Sequence, residues 1–209
     1  MKKCYVITSY IDGALSGIIS PGKSDFIICA DGGYEIAASC GIKPDLVIGD
    51  SDSGKMNGRD GDTKFIRFPS EKDYSDTFLC VKHAVSLGFE DIIIAGGIGG
   101  RLDHTMSNIQ TIACFSDTVP RLTMLDETNI VTLISDSHIS ISPKEGFTVS
   151  LFSYSDVCRG VTAAGLYYPL TDAELKNTDP VGLSNKFTEA DAFIEVKKGK
   201  LLVVMSKIL

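Results

Sequence analysis

Short apolar runs alternate with longer amphipathic stretches through the first part of the chain. Runs rich in β-branched residues and bounded by turn residues predict buried strands at Cys4–Thr8, Phe26–Ala30, Leu46–Ile48, Phe65–Phe68, Ile92–Ala95 and Leu122–Leu125. Helices are predicted between them at Tyr34–Cys40, Ser75–Leu87 and Leu102–Phe115. Strands that alternate with helices are typical of a parallel sheet covered by helices. The pattern therefore predicts an α/β domain with a Rossmann-like parallel sheet.

The pattern changes near Asp126–Asn129, where helical periodicity stops and only short β segments follow. Strands are predicted at Val131–Ile134, Ile139–Ile141, Phe147–Phe152, Phe193–Val196 and Leu201–Met205. The turn Lys198-Gly199-Lys200 predicts a hairpin between the last two. We expect two domains, an α/β domain over 1–126 and an antiparallel β-sandwich or half-barrel over 127–209.

Composition narrows the class of protein. The 209 residues are 44% hydrophobic and 22% charged, which is ordinary for a globular protein, and the net charge is -7. That charge disfavours nucleic acid and anionic membranes as partners. No apolar run approaches the ~20 residues of a spanning helix, and Met1-Lys2-Lys3 leads into a strand rather than a signal peptide. The six cysteines form no C-x-x-C pair, so we expect free thiols and a cytoplasmic protein.

One nucleotide-binding motif matches in its sequence but not in the secondary structure predicted after it. The segment from Gly17 to Ser24 matches the P-loop expression G-x-x-x-x-G-K-[ST]. The P-loop mechanism requires a helix immediately afterwards, whose N-terminus meets the phosphate. Residues Asp25 to Ala30 read as a strand instead, so we reject this interpretation.

The candidate site centres on Gly49-Asp50-Ser51-Asp52-Ser53, at the end of a predicted buried strand. Ligands of open α/β sheets bind outside the carboxyl ends of the strands. In an extended segment, Asp50 and Asp52 can point the same way and share a hard cation such as Mg²⁺. The alternative is a turn with solvated carboxylates.

Two further acidic segments follow predicted strands. The glycines of Asp31-Gly32-Gly33 would let backbone N–H groups approach a phosphate, or Asp31 simply caps the next helix. In Lys72-Asp73-Tyr74-Ser75-Asp76, Asp73 can be the N-cap of the following helix and Asp76 can favour its dipole. One of the two acids is expected to have only this helix role, and the other can join the acidic cluster. Lys72 can neutralise phosphate charge, and Ser75 can donate a hydrogen bond.

A glycine loop joins the next strand to its helix, in Gly96-Gly97-Ile98-Gly99-Gly100-Arg101-Leu102-Asp103-His104. It does not match G-x-G-x-x-G, because Leu102 occupies the third glycine position, so a dinucleotide fingerprint is not supported. Arg101 can bind phosphate in bidentate fashion, and Asp103 can bind metal or a ribose hydroxyl. His104 is either a ligand or an ordinary histidine on the helix surface.

These segments together resemble the thiamine pyrophosphokinase (thiamine diphosphokinase) family of the bacterial type. The resemblance continues in the β half, with Gly165-Leu166-Tyr167-Tyr168-Pro169-Leu170 and Gly182-Leu183-Ser184-Asn185. Each motif is weak by itself, but the ordered set covers most of the chain. The family resemblance implies a nucleotide-binding catalytic domain, a β-sandwich domain for thiamine binding and dimerisation, and a homodimer with substrate sites at the subunit interface.

The resemblance also implies roles for individual residues. Asp50, Asp52 and Asp76 resemble the metal-binding acids, and Arg101 joins these acids and Asp73 in the catalytic set. Expected on the ATP side are Asp31, Gly32, Gly33, Lys72, Ser75, Arg101, Asp103 and His104, and on the thiamine side Tyr168, Ser184 and Asn185.

The reaction that the resemblance implies is transfer of the diphosphoryl group of ATP to the thiamine hydroxyl, with Mg²⁺, giving thiamine diphosphate and AMP. Two alternatives stay open from the residues alone. Paired aspartates with an arginine also serve other metal-dependent phosphohydrolases and nucleotidyltransferases. A non-catalytic nucleotide sensor would bind ATP with Mg²⁺ and turn nothing over.

Overall fold

The structure is a computed structural model, and it describes residues 2–50, 63–69, 71 and 73–208. The chain folds into two compact units, Met1–Glu127 and Thr128–Leu209. Across the described residues, no helix has both the length and the apolar character needed to cross a membrane.

The first unit is built on a parallel sheet. Its strands are β1 (Cys4–Ile7), β2 (Phe26–Ala30), β3 (Leu46–Asp50), β4 (Lys64–Phe68), β5 (Asp91–Ala95) and β6 (Arg121–Leu125). They lie in the order β6-β5-β1-β2-β3-β4, and every neighbouring pair is parallel. The helices are α1 (Leu15–Ile18), α2 (Gly33–Ser39), α3 (Asp76–Ser86) and α4 (Leu102–Phe115). The order reverses between β1 and β5, which is where such sheets bind ligands.

Burial explains why these sequences form central strands. All four residues of β1 and the last four of β2 are buried, because helices cover both faces of a parallel sheet. Tyr5 and Ile7 share a core cluster with Ala37 of α2, while α3 packs on β1, β2 and β3. The sheet is thereby fixed, and the loops at its carboxyl edge are held by a rigid support.

The second unit contains two antiparallel sheets. Its strands are β7 (Asn129–Ser135), β8 (His138–Ile141), β9 (Phe147–Ser153), β10 (Val157–Ala164), β11 (Leu170–Lys176), β12 (Asn185–Lys186), β13 (Ala192–Glu195) and β14 (Lys200–Lys207). One group runs β12-β9-β14-β7 and the other β11-β10-β13-β8. A single core cluster draws on both groups, with Leu151 and Val203 from the first and Val161 and Ile194 from the second.

The predicted mixed α/β fold with an additional antiparallel sheet is confirmed. A strand follows Ser24, as expected, so the P-loop match has no helix behind it. The predicted hairpin at Lys198-Gly199-Lys200 is wrong. β13 and β14 lie in different sheets, because Lys198 bridges to Arg159 and the Gly199 N–H donates to Asp136 Oδ1 at 2.7 Å.

Candidate functional site

The ends of β2 and β3 bring two of the predicted acidic residues to neighbouring positions. The Asp31 N–H donates to the Ile48 carbonyl at 2.8 Å, and Asp31 adopts a φ of 45°. A Cβ on Gly49 would lie 3.1 Å from Asp31 Oδ1, so Gly49 gives the Asp31 carboxylate its space. Asp50 is the last residue of β3, directly after Gly49, and both acids are half-buried. Asp52 lies outside the described residues.

Gly33 has a structural reason to lack a side chain. A Cβ there would come to 2.2 Å from the Ile7 carbonyl oxygen, so α2 begins directly against the end of β1. The N-cap of α2 is Gly32, so Asp31 lies one residue before the cap position, and its carbonyl accepts the Tyr34 N–H at 3.1 Å. The predicted role of Gly32 and Gly33 toward a phosphate stays a prediction.

The start of α3 is fixed by a serine and not by an acid. Ser75 is the N-cap, and its Oγ accepts the Phe78 N–H at 3.2 Å. The expectation that Asp73 is the N-cap is therefore wrong, because Ser75 fills that position. Asp76 lies in the first turn of α3, where it suits the positive end of the helix dipole, as predicted.

Asp73 is exposed and helps to line a cleft of about 270 Å³ between α3 and α4, together with Ser75 and Ser107. Lys72 lies outside the described residues.

The loop between β5 and α4 is pinned to the segment after β1. The Gly97 N–H donates to the Tyr10 carbonyl at 2.7 Å, and the buried Thr8 hydroxyl lies 2.9 Å from the same oxygen. Buried Asn108 reaches from α4 and donates its Nδ2 to the Gly97 carbonyl at 2.9 Å. The Tyr10 ring lies against Gly100, where a Cβ would come within 2.8 Å of it. These contacts fix the loop that carries Arg101.

Arg101 and Asp103 form an exposed bidentate ion pair. Arg101 Nε donates to Asp103 Oδ1 at 3.2 Å and Nη2 donates to Oδ2 at 2.5 Å. The hydrogen bond from Arg101 is the main reason that the pKa of Asp103 lies below its usual value, and the same bond raises the pKa of Arg101. The His104 N–H also donates to Asp103 Oδ1, at 3.0 Å. Asp103 thus orients the guanidinium at the first turn of α4.

A cleft of about 290 Å³ opens at the order reversal between β1 and β5. It is lined by Thr8, Ser9, Tyr10, Thr77, Gly97, Gly99, Arg101, His104 and Asn108. Two of these, Arg101 and His104, are predicted site residues. Four lining residues are not among those predicted from the sequence: Thr8, Ser9, Tyr10 and Asn108. The rule that ligands meet the carboxyl ends of strands would have found the first three, because they directly follow β1.

Among the described residues, no group of three or more His, Cys, Asp or Glu side chains is placed to hold a metal ion. The donor chemistry of the strand ends still fits a hard divalent cation, since Asp31 and Asp50 offer carboxylate oxygens from adjacent strands. Gly49 leaves the space that a Cβ would take beside Asp31 Oδ1.

In the second unit the predicted thiamine-side residues occupy two neighbouring segments. Tyr168 is 65% exposed, and its ring meets that of Tyr167 edge-on, with centroids 4.8 Å apart. Ser184 is exposed, adopts a φ of 56°, and its N–H donates to Ser150 Oγ at 3.0 Å. Asn185 is buried, and its amide hydrogen-bonds to the backbone of Tyr168. The structure therefore brings Tyr168 and Asn185 together.

Comparison with known proteins agrees with this architecture. Residues 21–124 match the family model for the thiamin pyrophosphokinase catalytic domain, and residues 136–201 match that for the thiamin pyrophosphokinase vitamin B1 binding domain. Thiamine pyrophosphokinase of Bacillus subtilis is 26% identical over 184 residues, covering 86% of each chain. Thiamin pyrophosphokinase 1 of Caenorhabditis elegans is 26% identical over 161 residues, 73% of this chain and 66% of that protein.

Solved structures show the same fold. The crystal structure of thiamine pyrophosphokinase from Bacillus subtilis superposes with a TM-score of 0.89 at 22% identity, over 100% of both chains. Thiamin pyrophosphokinase from Candida albicans gives a TM-score of 0.77 at 19% identity, over 99% of this chain and 89% of that one. The two family models follow one another in order along this chain. The chain therefore belongs to the thiamin pyrophosphokinase family, a family of transferases.

Proposed function

We propose that this protein transfers the diphosphoryl group of ATP to the hydroxyl of thiamine, giving thiamine diphosphate and AMP. The observation that carries the proposal is the ordered match to both family domains, over residues 21–124 and 136–201. The cleft at the carboxyl ends of β1 and β5 supports it, because nucleotides bind at such order reversals. In this proposal the first unit is a Rossmann-like nucleotide-binding catalytic domain.

The second unit is proposed as a β-sandwich that binds thiamine and forms a homodimer, with the substrate sites at the subunit interface. Its large exposed apolar side chains support a surface that meets a partner or ligand: Tyr167, Tyr168, Val181 and Leu183.

Transfer of a diphosphoryl group requires position and charge neutralisation more than covalent help from the protein. The thiamine oxygen bonds to the β-phosphorus, the bond from that phosphorus to the bridging oxygen of AMP breaks, and the hydroxyl proton leaves. Arg101, which lines the cleft and pairs with Asp103, is proposed to bind phosphate oxygens in bidentate fashion. Lys72 is proposed to add positive charge, and Asp73 or Asp76 to orient the hydroxyl.

Ser75, Gly32 and Gly33 are proposed to contact the nucleotide, with His104 beside Arg101 in the cleft. Asp50, Asp52 and Asp76 are the residues that would hold Mg²⁺, with Asp31 and Asp103 near them. A bound Mg²⁺ supplies charge that offsets the phosphate oxygens. On the thiamine side, Ser184 and Asn185 are proposed to line the pocket, and the Tyr168 ring to stack on the substrate.

Product analysis tests the proposal. The purified protein is incubated with thiamine, Mg²⁺ and ATP labelled either at the α or at the γ phosphorus, and the products are separated by chromatography. We expect the γ label in thiamine diphosphate and the α label in AMP, in equal amounts, and no AMP without thiamine. Thiamine monophosphate with ADP would contradict the proposal. Hydrolysis of ATP without thiamine would favour a phosphohydrolase, and binding without turnover would favour a sensor.

A further inference from the structure

Two segments of the second unit are joined along their backbones. The Tyr167 N–H donates to the Lys186 carbonyl at 2.9 Å, and Leu166 bridges to Phe187 in antiparallel fashion. The Thr188 N–H and hydroxyl both donate to the Gly165 carbonyl, at 3.1 and 2.9 Å. The segment that carries the two adjacent tyrosines is thus held against the segment that follows Ser184.

The side chain of Asn185 adds a further link between these two segments, at Tyr168. Its Oδ1 accepts the Tyr168 N–H at 3.0 Å, and its Nδ2 donates to the Tyr168 carbonyl at 2.7 Å. Oδ1 also accepts the Lys186 N–H at 2.9 Å. The amide is 7% exposed, and these three bonds use both oxygen lone pairs and one of its two N–H groups. Asn185 therefore acts as a clamp on the backbone of Tyr168.

Asn185 links the backbone of Tyr168 to strand β9 of the second unit. The backbone of Asn185 pairs with Val149 of β9, while its side chain holds Tyr168 seventeen residues earlier in the chain. Val149 is fully buried, so β9 is a fixed support at this point. Pro169 follows Tyr168 and restricts its backbone further. The backbone of Tyr168 is thus fixed from both sides of the residue.

Unlike this fixed backbone, the two tyrosine rings are exposed. Tyr167 and Tyr168 are 66% and 65% exposed, and their planes cross at 86°. A perpendicular pair offers a ring face and a ring edge side by side, and exposed ring faces attract cationic and aromatic groups. Thiamine carries both kinds of group. The position of the Tyr168 ring depends on the backbone of Tyr168, which Asn185 holds.

We infer that Asn185 is a positioning residue for thiamine, which acts through the backbone of Tyr168 and so sets where the tyrosine ring meets the substrate. This inference rests on the proposed function and assigns Asn185 an indirect role in it. Direct contact with thiamine is the competing role, and the two roles differ in a measurable way. An indirect role disappears when the Tyr168 ring is removed, whereas a direct contact does not.

The test is a double-mutant cycle on Asn185→Asp and Tyr168→Ala. The aspartate keeps both acceptors but replaces the Nδ2 donor with an oxygen facing the Tyr168 carbonyl, which repels it. We expect each single variant to raise the KM for thiamine about tenfold or more, with the KM for ATP and kcat within about twofold of wild type. We expect the double variant to match Tyr168→Ala alone, because coupled residues are not additive.

Two controls separate this effect from general damage. Asn177→Asp makes the same chemical change at an exposed residue of the same unit, where Nδ2 lies 3.4 Å from Asp156 Oδ1, and should leave both KM values unchanged. In a Tyr168→Phe background, which keeps the ring, Asn185→Asp should again raise the KM for thiamine. The chain has no tryptophan, so near-UV circular dichroism reports its tyrosines. Asn185→Asp should change that spectrum while the far-UV spectrum stays the same.

Several outcomes would overturn the inference. Additive effects in the double variant would mean that Asn185 touches thiamine directly, and an unchanged KM in Asn185→Asp would mean that the clamp does not matter. Equal changes in the KM for thiamine and for ATP would indicate a merely structural role. In each of these cases an active wild type leaves the proposed function intact. A wild type that makes no thiamine diphosphate would refute both.

Discussion

At the scale of single residues, the site depends on one glycine as much as on its charged groups. Gly49 places only a hydrogen where a Cβ would lie 3.1 Å from Asp31 Oδ1, so the Asp31 carboxylate fits against the end of β3, whose last residue is Asp50. Asp31 and Asp50 lie at the sheet edge and are half-buried, so they are partly shielded from water. Oxygen ligands of this kind are those that Mg²⁺ prefers.

A metal-binding role for these acids predicts a specific loss of activity. We expect Asp50→Asn or Asp52→Asn to lower kcat by at least ~100-fold, as expected for loss of a catalytic metal ligand. The assay is thiamine diphosphate formation at saturating ATP and Mg²⁺. Glu90→Gln is the matched control, because Glu90 is exposed and precedes β5 at the opposite edge of the sheet. Near-normal activity in both aspartate variants would refute the metal assignment.

At the scale of elements, the start of α3 shows how one hydroxyl can serve the fold and the site. Ser75 caps the helix through the Phe78 N–H. Together with Asp73, it also lines the cleft of about 270 Å³ between α3 and α4. The helix behind it packs on β1, β2 and β3, so its first turn is fixed relative to the sheet edge. The proposed contact of Ser75 with the nucleotide would use the same side chain.

Removing this cap should cost stability. Ser75→Ala leaves the Phe78 N–H without its partner, and we expect the free energy of unfolding to fall by about 1 kcal/mol in urea titrations. Ser75→Thr keeps the hydroxyl and should restore most of it. Ser86→Ala, at the other end of the same helix, removes only an exposed bond to the His83 carbonyl and should change stability by under about 0.5 kcal/mol. Unchanged stability in Ser75→Ala would show that the cap contributes nothing.

The predictability of the elements follows from how their residues are buried. The central parallel strands were predictable because β-branched residues run without interruption there, as in Ile92 to Ile94. β11 was missed because it is an edge strand with one buried residue, Leu175, and no apolar alternation. β10 was missed because its pairing with β11 has register shifts between Cys158 and Ala163, which break the period of two.

Residues of the candidate site could be predicted where they lie close together in the sequence. Arg101 and His104, which line the cleft, were predicted because a glycine loop leads directly into α4. Asn108 was missed because its role depends on a hydrogen bond to Gly97, which no local pattern shows. Asn185 was found only through the family resemblance, since its bonds to Tyr168 span 17 positions. Tertiary hydrogen bonds of this kind have no signature in spacing.

At the scale of the whole molecule, each unit is organised around its own core. The cluster in the first unit includes Ile7, Cys29 and Val47, and that in the second includes Val149, Cys158 and Leu201. Four of the six cysteines are buried thiols, whereas Cys40 and Cys114 are exposed. Burial raises the pKa of Cys29 to about 12, with a smaller contribution from Glu35, and burial likewise raises the pKa of Cys4 to about 12.

The raised pKa values of the buried Cys4 and Cys29 thiols predict that alkaline pH destabilises the protein. An unfolded thiol loses its proton near its ordinary pKa of about 8.5, while the folded Cys29 thiol keeps its proton until about pH 12. Because the raised pKa belongs to the folded state, its contribution is fully present below the unfolded pKa and is lost as the pH rises toward the folded one. Cys4 and Cys29 should each lower the free energy of unfolding by about 1.4 kcal/mol per pH unit in this window.

Denaturant titrations from about pH 9 to about pH 10.5 measure this slope. Cys29→Ala should make the decline shallower by about 1.4 kcal/mol per pH unit, whatever it costs at neutral pH, because it removes one group that titrates only in the unfolded state. Cys40→Ala makes the same substitution at an exposed cysteine and serves as the matched control. Equal slopes in Cys29→Ala and Cys40→Ala would mean that the Cys29 thiol ionises as readily in the folded protein as in the unfolded chain, and would contradict its burial in the core.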